Sequence, residues 1–347
     1  MKETKNFTIQ LFRLVGALMV IAIHTNPFME INAYIAKGIT GILTRVAVPF
    51  FFSLAGYFYM KKIEDKKDYL KKYIYKILKI YIIWGVIYFP YSFIYSSIKS
   101  ERSLIFSVAA YVRNTIFGGA HFHLWYLPAL IFAIILFDLL HRNVQMNKIK
   151  ILATILYLVG LFGTSYYGLL KGNLKLIMDI YSKIFITTRN GLFMGFPFVV
   201  LGAELAKQNL NKYTRKKTSI NIIIFYFLIT LEAFIVFKVK SSKMSDTYIL
   251  LPILVYYIMI FSINDFINKS SEKILKLISF EDYSLGIYLI HGIYLIIFSK
   301  FLSIIGLANQ RTLYFILVTI FSVGNIWIIK KVIKTNHKKL EKISAFV

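Results

Sequence analysis

Residues 12–28 read FRLVGALMVIAIHTNPF, an apolar stretch that contains the basic residues Arg13 and His24. An apolar helix of this kind can cross a hydrocarbon layer, and an ionisable side chain inside such a span is costly. Eleven residues of α-helix turn through about 1100°, so both side chains share one face and lie roughly 16 Å apart along the axis. The stretch therefore predicts a membrane helix with functional residues at Arg13 and His24.

Composition extends this prediction to the whole chain. Of its 347 residues, 58% are hydrophobic, which is too apolar for a soluble globular protein of this length. The mean hydropathy is +0.64. We predict an all-α, polytopic membrane helical bundle of about ten transmembrane helices, which forms a single domain over residues 1–347. The predicted spans are 8–29, 38–60, 73–96, 124–141, 151–170, 189–206, 219–237, 247–264, 284–305 and 311–330.

The net charge of +26 is distributed as in a membrane protein, and we expect no nucleic-acid partner. With alternating spans, 25 basic residues fall in segments on the side of the N-terminus and 12 on the other side. The positive-inside rule then predicts that both termini are cytoplasmic and that the basic excess contacts anionic membrane lipids. The Lys-, Ile-, Tyr- and Asn-rich composition indicates a bacterium, and hence a multi-pass protein of the bacterial plasma membrane.

The chain contains no cysteine, which excludes disulfides, thiolate nucleophiles and cysteine-based metal sites. Histidines do not cluster at metal-ligand spacing, and acidic residues are few in the spans, so we expect no metal. The site chemistry must therefore come from histidine, arginine and aromatic residues.

Arg45 lies four residues before Pro49 in TRVAVPFFFSLAGYF (44–58). If this segment is one helix, Pro49 kinks it and frees backbone carbonyls. Arg45 then either points into a polar cavity and binds substrate, or snorkels outward and tethers a neighbouring helix.

Two further segments begin with polar residues at the predicted outer rim. In GGAHFHLWYLPAL (118–130), Trp125 is either a residue of the interfacial aromatic belt or, because His123 lies beside it, part of a substrate-binding site. We expect His121 to be solvated. In TTRNGLFMGFPFVVLGAEL (187–205), Gly191 and Gly195 permit close approach of a neighbour, and Pro197 predicts a kink. Arg189 at the start of this segment either binds substrate or marks the membrane boundary.

The ninth span, within EDYSLGIYLIHGIYLIIF (281–298), contains His291 one or two turns from the cytoplasmic edge. Tyr288 lies three residues earlier on a neighbouring part of the same face. The pair is either a further part of the substrate site or a packing histidine with satisfied hydrogen bonds. Glu232 in the seventh span is expected to pair with an arginine. The topology places His24 and Arg45 in the outer half of the membrane and Arg13 in the inner half.

Together these motifs resemble the acyltransferase-3 family of integral membrane acyltransferases. The resemblance covers nearly the whole chain and is carried by Arg13 and His24 with ten residues between them, by RVAVPFFF with Arg45, and by SLGIYLIH with His291. HLWYLPAL and TRNGLFMGFPFVVLG also resemble the membrane half of the membrane-bound serine racemases. Because the chain ends shortly after its last span, we expect no racemase activity.

The resemblance implies an enzyme that transfers an acyl group, usually acetyl, from cytoplasmic acyl-CoA to a hydroxyl on an extracytoplasmic glycan, as in polysaccharide O-acetylation. His24 would act as general base, and Arg13 would orient the donor or stabilise the oxyanion. An acyl-histidine intermediate and direct transfer both fit. Acetyl-CoA would be the donor substrate, with no metal. The residues expected to bind substrate are Arg45, His123, Trp125, Arg189, Tyr288 and His291.

Two other functions fit the same residues. A transporter of a small amino acid or an anionic metabolite would also use buried arginines, although such proteins often show two related halves that this chain lacks. A non-catalytic partner in a glycan export complex would tolerate changes at both Arg13 and His24. The sequence leaves open the identity of the acceptor and the oligomeric state.

Overall fold

The structure, a computed structural model, describes residues 6–63, 69–95, 97–98, 103–239, 247–267 and 283–335. Within these ranges the chain is helical and contains no β-strand, which confirms the all-α prediction. The α-helices are α1 (Phe7–Thr25), α2 (Ala33–Gly41), α3 (Ala47–Ile63), α4 (Tyr69–Phe89), α5 (Leu104–Phe117), α6 (Tyr126–Asn143), α7 (Met146–Leu161), α8 (Gly172–Phe185), α9 (Phe196–Lys207), α10 (Arg215–Lys238), α11 (Leu251–Ile263), α12 (Tyr283–Ile304) and α13 (Arg311–Thr335). Short 3₁₀-helices cover Leu43–Val46, Tyr167–Leu169 and Leu210–Lys212, and π-helical turns cover Pro90–Tyr95 and Gly191–Gly195.

Among the described residues, seven helical segments are long and apolar enough to cross a membrane, so the expected count of ten is not confirmed. Each of the ten predicted spans contains a helix, but α7, α9 and α11 have only 16, 12 and 13 residues. The cytoplasmic termini stay a prediction, because helix length and composition do not define which side of the membrane a segment faces. Of the basic residues on which that prediction rests, Lys2, Lys5 and those in 269–276 lie outside the described residues. The seven segments are Phe7–Thr25, Ala33–Ile63, Tyr69–Tyr95, Tyr126–Asn143, Arg215–Lys238, Tyr283–Ile304 and Arg311–Ile333.

The chain divides into two compact units. The first unit combines Met1–Val48, Asn211–Ile223 and Tyr257–Val347, and the second combines Pro49–Leu210 and Ile224–Tyr256. Neither unit is continuous in sequence. The expectation of a single domain over residues 1–347 stays a prediction.

In the first unit, α1 packs against α12 and α13. Its first turn is anchored at the end of α11. The Asn6 side chain accepts a hydrogen bond from the Ile9 amide and donates to the carbonyl of Ser262, and the Thr8 amide donates to Asp265 at 2.8 Å. These bonds satisfy amide groups that a helix N-terminus leaves without intrahelical partners.

The Arg45 segment differs from its prediction. The helix is already interrupted before Pro49, because Arg45 lies in the 3₁₀-helix Leu43–Val46 between α2 and α3. Pro49 is then in the first turn of α3, where the absence of an amide hydrogen costs little. The 3₁₀ break lies in the turn that precedes Pro49, where a proline within a continuous helix removes an intrahelical hydrogen bond, and the expected kink at Pro49 stays a prediction. A similar break precedes Pro197, which lies in the first turn of α9 directly after the π-turn.

In the second unit, α6 packs against α4, α9 and the π-turn Gly191–Gly195. The buried Asp138 on α6 accepts hydrogen bonds from the Tyr59 hydroxyl and from Nε of Arg142, each at 2.7 Å. A charge in this position is tolerated because both carboxylate oxygens have partners. The expected arginine partner of Glu232 is wrong, since this carboxylate accepts from the Tyr166 hydroxyl and from the amides of Ile249 and Leu250.

Two glycines bring α3 and α9 into backbone contact. A Cβ added at Gly202 would overlap the carbonyl oxygen of Ser53, and one added at Gly56 would overlap the carbonyl oxygen of Val199. Small residues at helix crossings allow this approach, which is common in membrane bundles. Any side chain at either position must push the two helices apart.

We expect Gly202→Ala to destabilise the second unit by about 1–3 kcal/mol or more, because overpacking against a backbone cannot be relieved by a rotamer change. Its matched control is Gly324→Ala on α13, where an added Cβ meets nothing within 4 Å. That control should keep or slightly raise stability, since alanine is the better helix former. Thermal unfolding of both purified variants in detergent checks this, and equal melting temperatures would contradict it.

Candidate functional site: a histidine pair and an aromatic pocket

His24 and His291 form a stacked pair in the first unit. Their ring centroids are 5.6 Å apart and their planes are inclined by 26°. His24 lies in the last turn of α1, and His291 is fully buried on α12. Although 266 residues lie between them in sequence, the packing of α1 on α12 places the two imidazoles face to face.

The hydrogen bonds of His291 define its tautomer. Its Nδ1 lies 2.6 Å from the carbonyl oxygen of Tyr288 and 3.3 Å from that of Ile287. A carbonyl oxygen can only accept, so Nδ1 carries the hydrogen and Nε2 of the neutral ring carries a lone pair. Tyr288 thus contributes its backbone to this arrangement, and its ring centroid lies 6.0 Å from that of His291. At Nδ1, these bonds support the interpretation of His291 as a packing histidine with satisfied hydrogen bonds.

The pairing also corrects the depths expected from sequence. The topology placed His24 in the outer half and His291 near the cytoplasmic edge, but two stacked rings must lie at one level. Arg13 lies in the same unbroken helix as His24, eleven residues earlier, which confirms their common face. Arg45 belongs to the same unit, and both arginines are partly exposed.

His121 and His123 form a second pair, in the second unit. Their Nδ1 atoms are 2.8 Å apart, so one ring donates a hydrogen and the other accepts it. Tyr88 stacks on His121 with centroids 4.4 Å apart, and both histidines are buried, with exposed fractions of 4% and 1%. The expectation that His121 is a solvated rim residue is therefore wrong. The sequence signal for this pair was the motif HFH, in which the two histidines lie two residues apart.

The turn that contains these histidines is fixed by close packing at Gly119 and by hydrogen bonds of the Tyr81 hydroxyl. Gly119 has a φ of +92°, and an added Cβ there would lie 2.5 Å from the amide nitrogen of Trp125. The Tyr81 hydroxyl accepts from the Ala120 amide at 2.8 Å and donates to the Thr115 carbonyl. The turn therefore packs closely enough that only glycine fits at position 119.

A pocket of about 650 Å³ opens beside this turn. Trp125 and Arg189 both line it, and the guanidinium carbon of Arg189 lies 4.9 Å from the Trp125 ring centroid, within cation–π distance. His121 also lines the pocket. His123 is not a lining residue, and is connected to the pocket by its hydrogen bond to His121. The structure thus brings Trp125 and Arg189 together, two of the three outer-rim residues predicted to bind substrate.

The segment after Arg189 is shaped by Asn190. Its side chain caps the π-turn by accepting from the amides of Leu192 and Phe193, and its Nδ2 donates to the Tyr181 hydroxyl at 2.6 Å. Burial raises the pKa of the Tyr181 phenol above its usual value, and the bond from Asn190 opposes this shift. The expected close approach at the glycines is confirmed, because a Cβ at Gly191 would lie 2.7 Å from the carbonyl oxygen of Ala129.

The predicted site residues therefore divide between the units. Arg13, His24, Arg45, Tyr288 and His291 belong to the first unit, and His123, Trp125 and Arg189 belong to the second. Within the described ranges, no group of three or more His, Cys, Asp or Glu residues could hold a metal ion. The predicted site residues can supply the acid–base chemistry of imidazoles together with cationic and aromatic binding groups.

Comparison with known proteins agrees with these motifs. A family model described as an acyltransferase domain matches residues 6–331. The chain belongs to the acyltransferase-3 family. This membership and the seven apolar helical segments indicate a multi-pass membrane protein of an acyltransferase family.

Its relatives carry racemase names. An amino-acid racemase of Enterococcus faecalis is 33% identical over 324 residues, which cover 90% of this chain and 44% of that protein. A serine/alanine racemase of Enterococcus gallinarum is 29% identical over 329 residues, which cover 92% of this chain and 45% of that protein. The chain thus spans less than half the length of these relatives. No solved structure matches it.

We expect Gly119→Ala to disrupt the turn around His121 and Trp125, because both its positive φ and the contact with the Trp125 amide exclude a side chain. Gly172→Ala is the matched control, since Gly172 also has a positive φ, of +51°, but an added Cβ there meets nothing within 4 Å. Only Gly119→Ala should combine a large loss of thermal stability with altered tryptophan fluorescence. Similar losses in both variants would attribute the effect to φ alone.

Proposed function

We propose that this chain is a membrane O-acyltransferase that moves an acyl group, acetyl in the simplest case, from acyl-CoA on the cytoplasmic side to a hydroxyl of an extracytoplasmic glycan in the bacterial cell envelope. Membership of the acyltransferase-3 family supports acyl transfer. The observation that carries the assignment of the chemistry is the stacked His24–His291 pair, because neutral imidazole is the usual general base near neutral pH.

In the proposed reaction, His24 accepts the proton of the acceptor hydroxyl while the oxygen of that hydroxyl attacks the thioester carbonyl carbon. The C–S bond then breaks, and the departing thiolate of coenzyme A takes the proton from the imidazolium. The acyl group ends on the acceptor oxygen, and His24 returns to its neutral form.

His291 acts as a positioning residue in this proposal. Its Nδ1 hydrogen is bonded to backbone carbonyls, so the ring is held in one orientation against His24. When His24 becomes an imidazolium, it lies over the face of a neutral aromatic ring at 5.6 Å, within the roughly 6 Å range of a cation–π contact. The neutral partner thereby stabilises the charge that appears at His24 during transfer.

Arg13 contributes a positive charge on the His24 face of α1, closer to the N-terminus. A guanidinium there can bind the phosphates of coenzyme A, while the carbonyl that reacts at His24 lies roughly 16 Å further along the helix axis. We expect Arg45, in the same unit, to bind the same acyl-CoA donor. The membrane lipid surrounds the bundle, and no metal takes part in the proposed step.

His24→Ala should lower acyl transfer by about 10²- to 10⁴-fold, the usual contribution of a general base. Transfer of label from radiolabelled acetyl-CoA to envelope glycan, measured in membranes at matched expression, checks this. His141→Ala is the matched control, because His141 stacks on Phe137 in the second unit and has no part in the proposed site. Wild-type transfer by purified His24→Ala protein would refute the role of His24 as base.

The same preparation separates the transporter alternative. A transporter would accumulate a small amino acid or an anionic metabolite in proteoliposomes without any acyl donor. If wild-type protein transfers no label from acetyl or succinyl donors to envelope acceptors but does accumulate solute, the acyltransferase proposal is overturned.

His291→Ala should lower kcat while leaving KM for acyl-CoA close to the wild-type value, because His291 positions His24 and does not contact the donor. The double variant His24→Ala/His291→Ala should transfer no more slowly than His24→Ala alone, since residues that act as a unit are not additive. Fully multiplicative losses in the double variant, or a change confined to KM, would contradict the positioning role.

A further inference from the structure

The pocket in the second unit has the size and lining of a ligand site. Its volume of about 650 Å³ lies within the range of roughly 300–1,000 Å³ typical of small-molecule sites. Aromatic side chains form much of its wall, and hydroxyl and amide groups lie among them. The aromatic lining residues used below are Tyr91, Tyr95, Tyr111 and Trp125.

The pocket has a single sign of charge. Among the described residues that line it, Arg189 is the one permanently charged side chain, and none carries a carboxylate. Arg113 adjoins the lining residue Asn114 and donates a hydrogen bond to the Lys183 carbonyl at 2.9 Å, so further basic residues stand close by. An anion entering this pocket meets no acidic group on its wall.

Basic residues in the segments predicted to be external need an explanation beyond topology. The positive-inside rule favours Lys and Arg in cytoplasmic segments, yet several lie in segments predicted to be external. A concave region lined by one sign of charge concentrates ligands of the opposite sign. In the second unit, the predicted external set comprises Lys99, Arg102, Arg113, Lys171, Lys175, Lys183, Lys238, Lys240 and Lys243, of which Lys99, Arg102, Lys240 and Lys243 lie outside the described residues.

We propose that this pocket binds a sugar unit that carries a carboxylate or phosphate group. The sugar ring packs its C–H groups against the tyrosine and tryptophan faces, whose quadrupole is negative. Arg189, held by its stack on Trp125, binds the anionic group with its planar N–H fork, and Asn114 and His121 bond to hydroxyls. The identification of this sugar as the acyl acceptor rests on the function proposed above, whereas its binding does not.

A free amino acid fits this pocket poorly, although the relatives are named as amino-acid racemases. Its ammonium group finds no carboxylate partner among the lining residues that the structure describes, and would depend on weaker cation–π contacts with the aromatic wall. An anionic sugar requires no such partner and has more surface for the aromatic wall. The chemistry of the lining therefore favours the sugar.

The test measures binding to purified protein in detergent by tryptophan fluorescence, with calorimetry as a second readout. The probes are a hyaluronan tetrasaccharide, which carries uronic acid carboxylates, and neutral chitotetraose of the same length. We expect the charged probe to bind about tenfold or more tightly, as for a charge-assisted hydrogen bond. Raising the salt concentration should reduce this difference through screening.

Two variants of equal charge change locate the interaction. Arg189→Gln should abolish the preference for the charged probe, whereas Lys175→Gln should retain it, because Lys175 lies on exposed α8 over the Tyr167 ring, away from the pocket lining. If Arg189→Gln does not fold, the salt dependence of the wild-type protein still decides the charge requirement. Equal affinity for both probes at low salt would overturn the proposal.

Two further measurements distinguish sugar binding in this pocket from acyl transfer at His24 and from binding of a lipid headgroup. His24→Ala protein should bind the charged probe with wild-type affinity even where it no longer transfers acyl groups, so binding and catalysis can fail independently. Vesicles of phosphatidylglycerol should not displace the probe. Full displacement by these vesicles would assign the anion site to a lipid headgroup and refute the sugar.

Discussion

A polar side chain inside a hydrocarbon layer must be satisfied by the protein itself, because no water is available there. This constraint explains the local structure around three buried or half-buried polar residues among those that the structure describes. Asp138 is held by Tyr59 and Arg142, Glu232 by Tyr166 and two amides, and Nδ1 of His291 by the carbonyls of the preceding turn. Each of these arrangements provides the hydrogen bonds that the polar group needs and also fixes the orientation of its side chain. The rigidity of these side chains therefore follows from the requirement that buried polar groups form hydrogen bonds.

Sequence reasoning succeeded where the signal lies within one helix. The common face of Arg13 and His24 depends only on helix periodicity, and the close approach at Gly191 depends only on the missing side chain. It failed where the answer depends on distant segments. Nothing near His24 indicates that a residue of α12 stacks on it, and the depths assigned to the two histidines from topology were inconsistent with their contact.

The irregular turns within the helices are a second feature that the sequence does not place. The turn before Pro49 is a 3₁₀-helix at Arg45 and the turn before Pro197 is a π-turn after Asn190, and the expected proline kinks stay predictions. Hydropathy alone does not distinguish a 3₁₀- or π-turn from an α-helical turn, because all three can be built from the same apolar residues. His121 was misjudged for a related reason: its neighbour His123 was recognised as a candidate, but the turn that buries both depends on Gly119 and Tyr81.

The turn between α5 and α6 has a kinetic consequence. Its backbone is fixed by the Tyr81 hydroxyl and by the packing at Gly119 before any ligand arrives. A ligand therefore does not wait for this part of the wall to order, and little conformational entropy is lost there on association. Entry into the pocket should then be governed by diffusion and long-range attraction, and differences between ligands should be expressed mainly in how long each one stays.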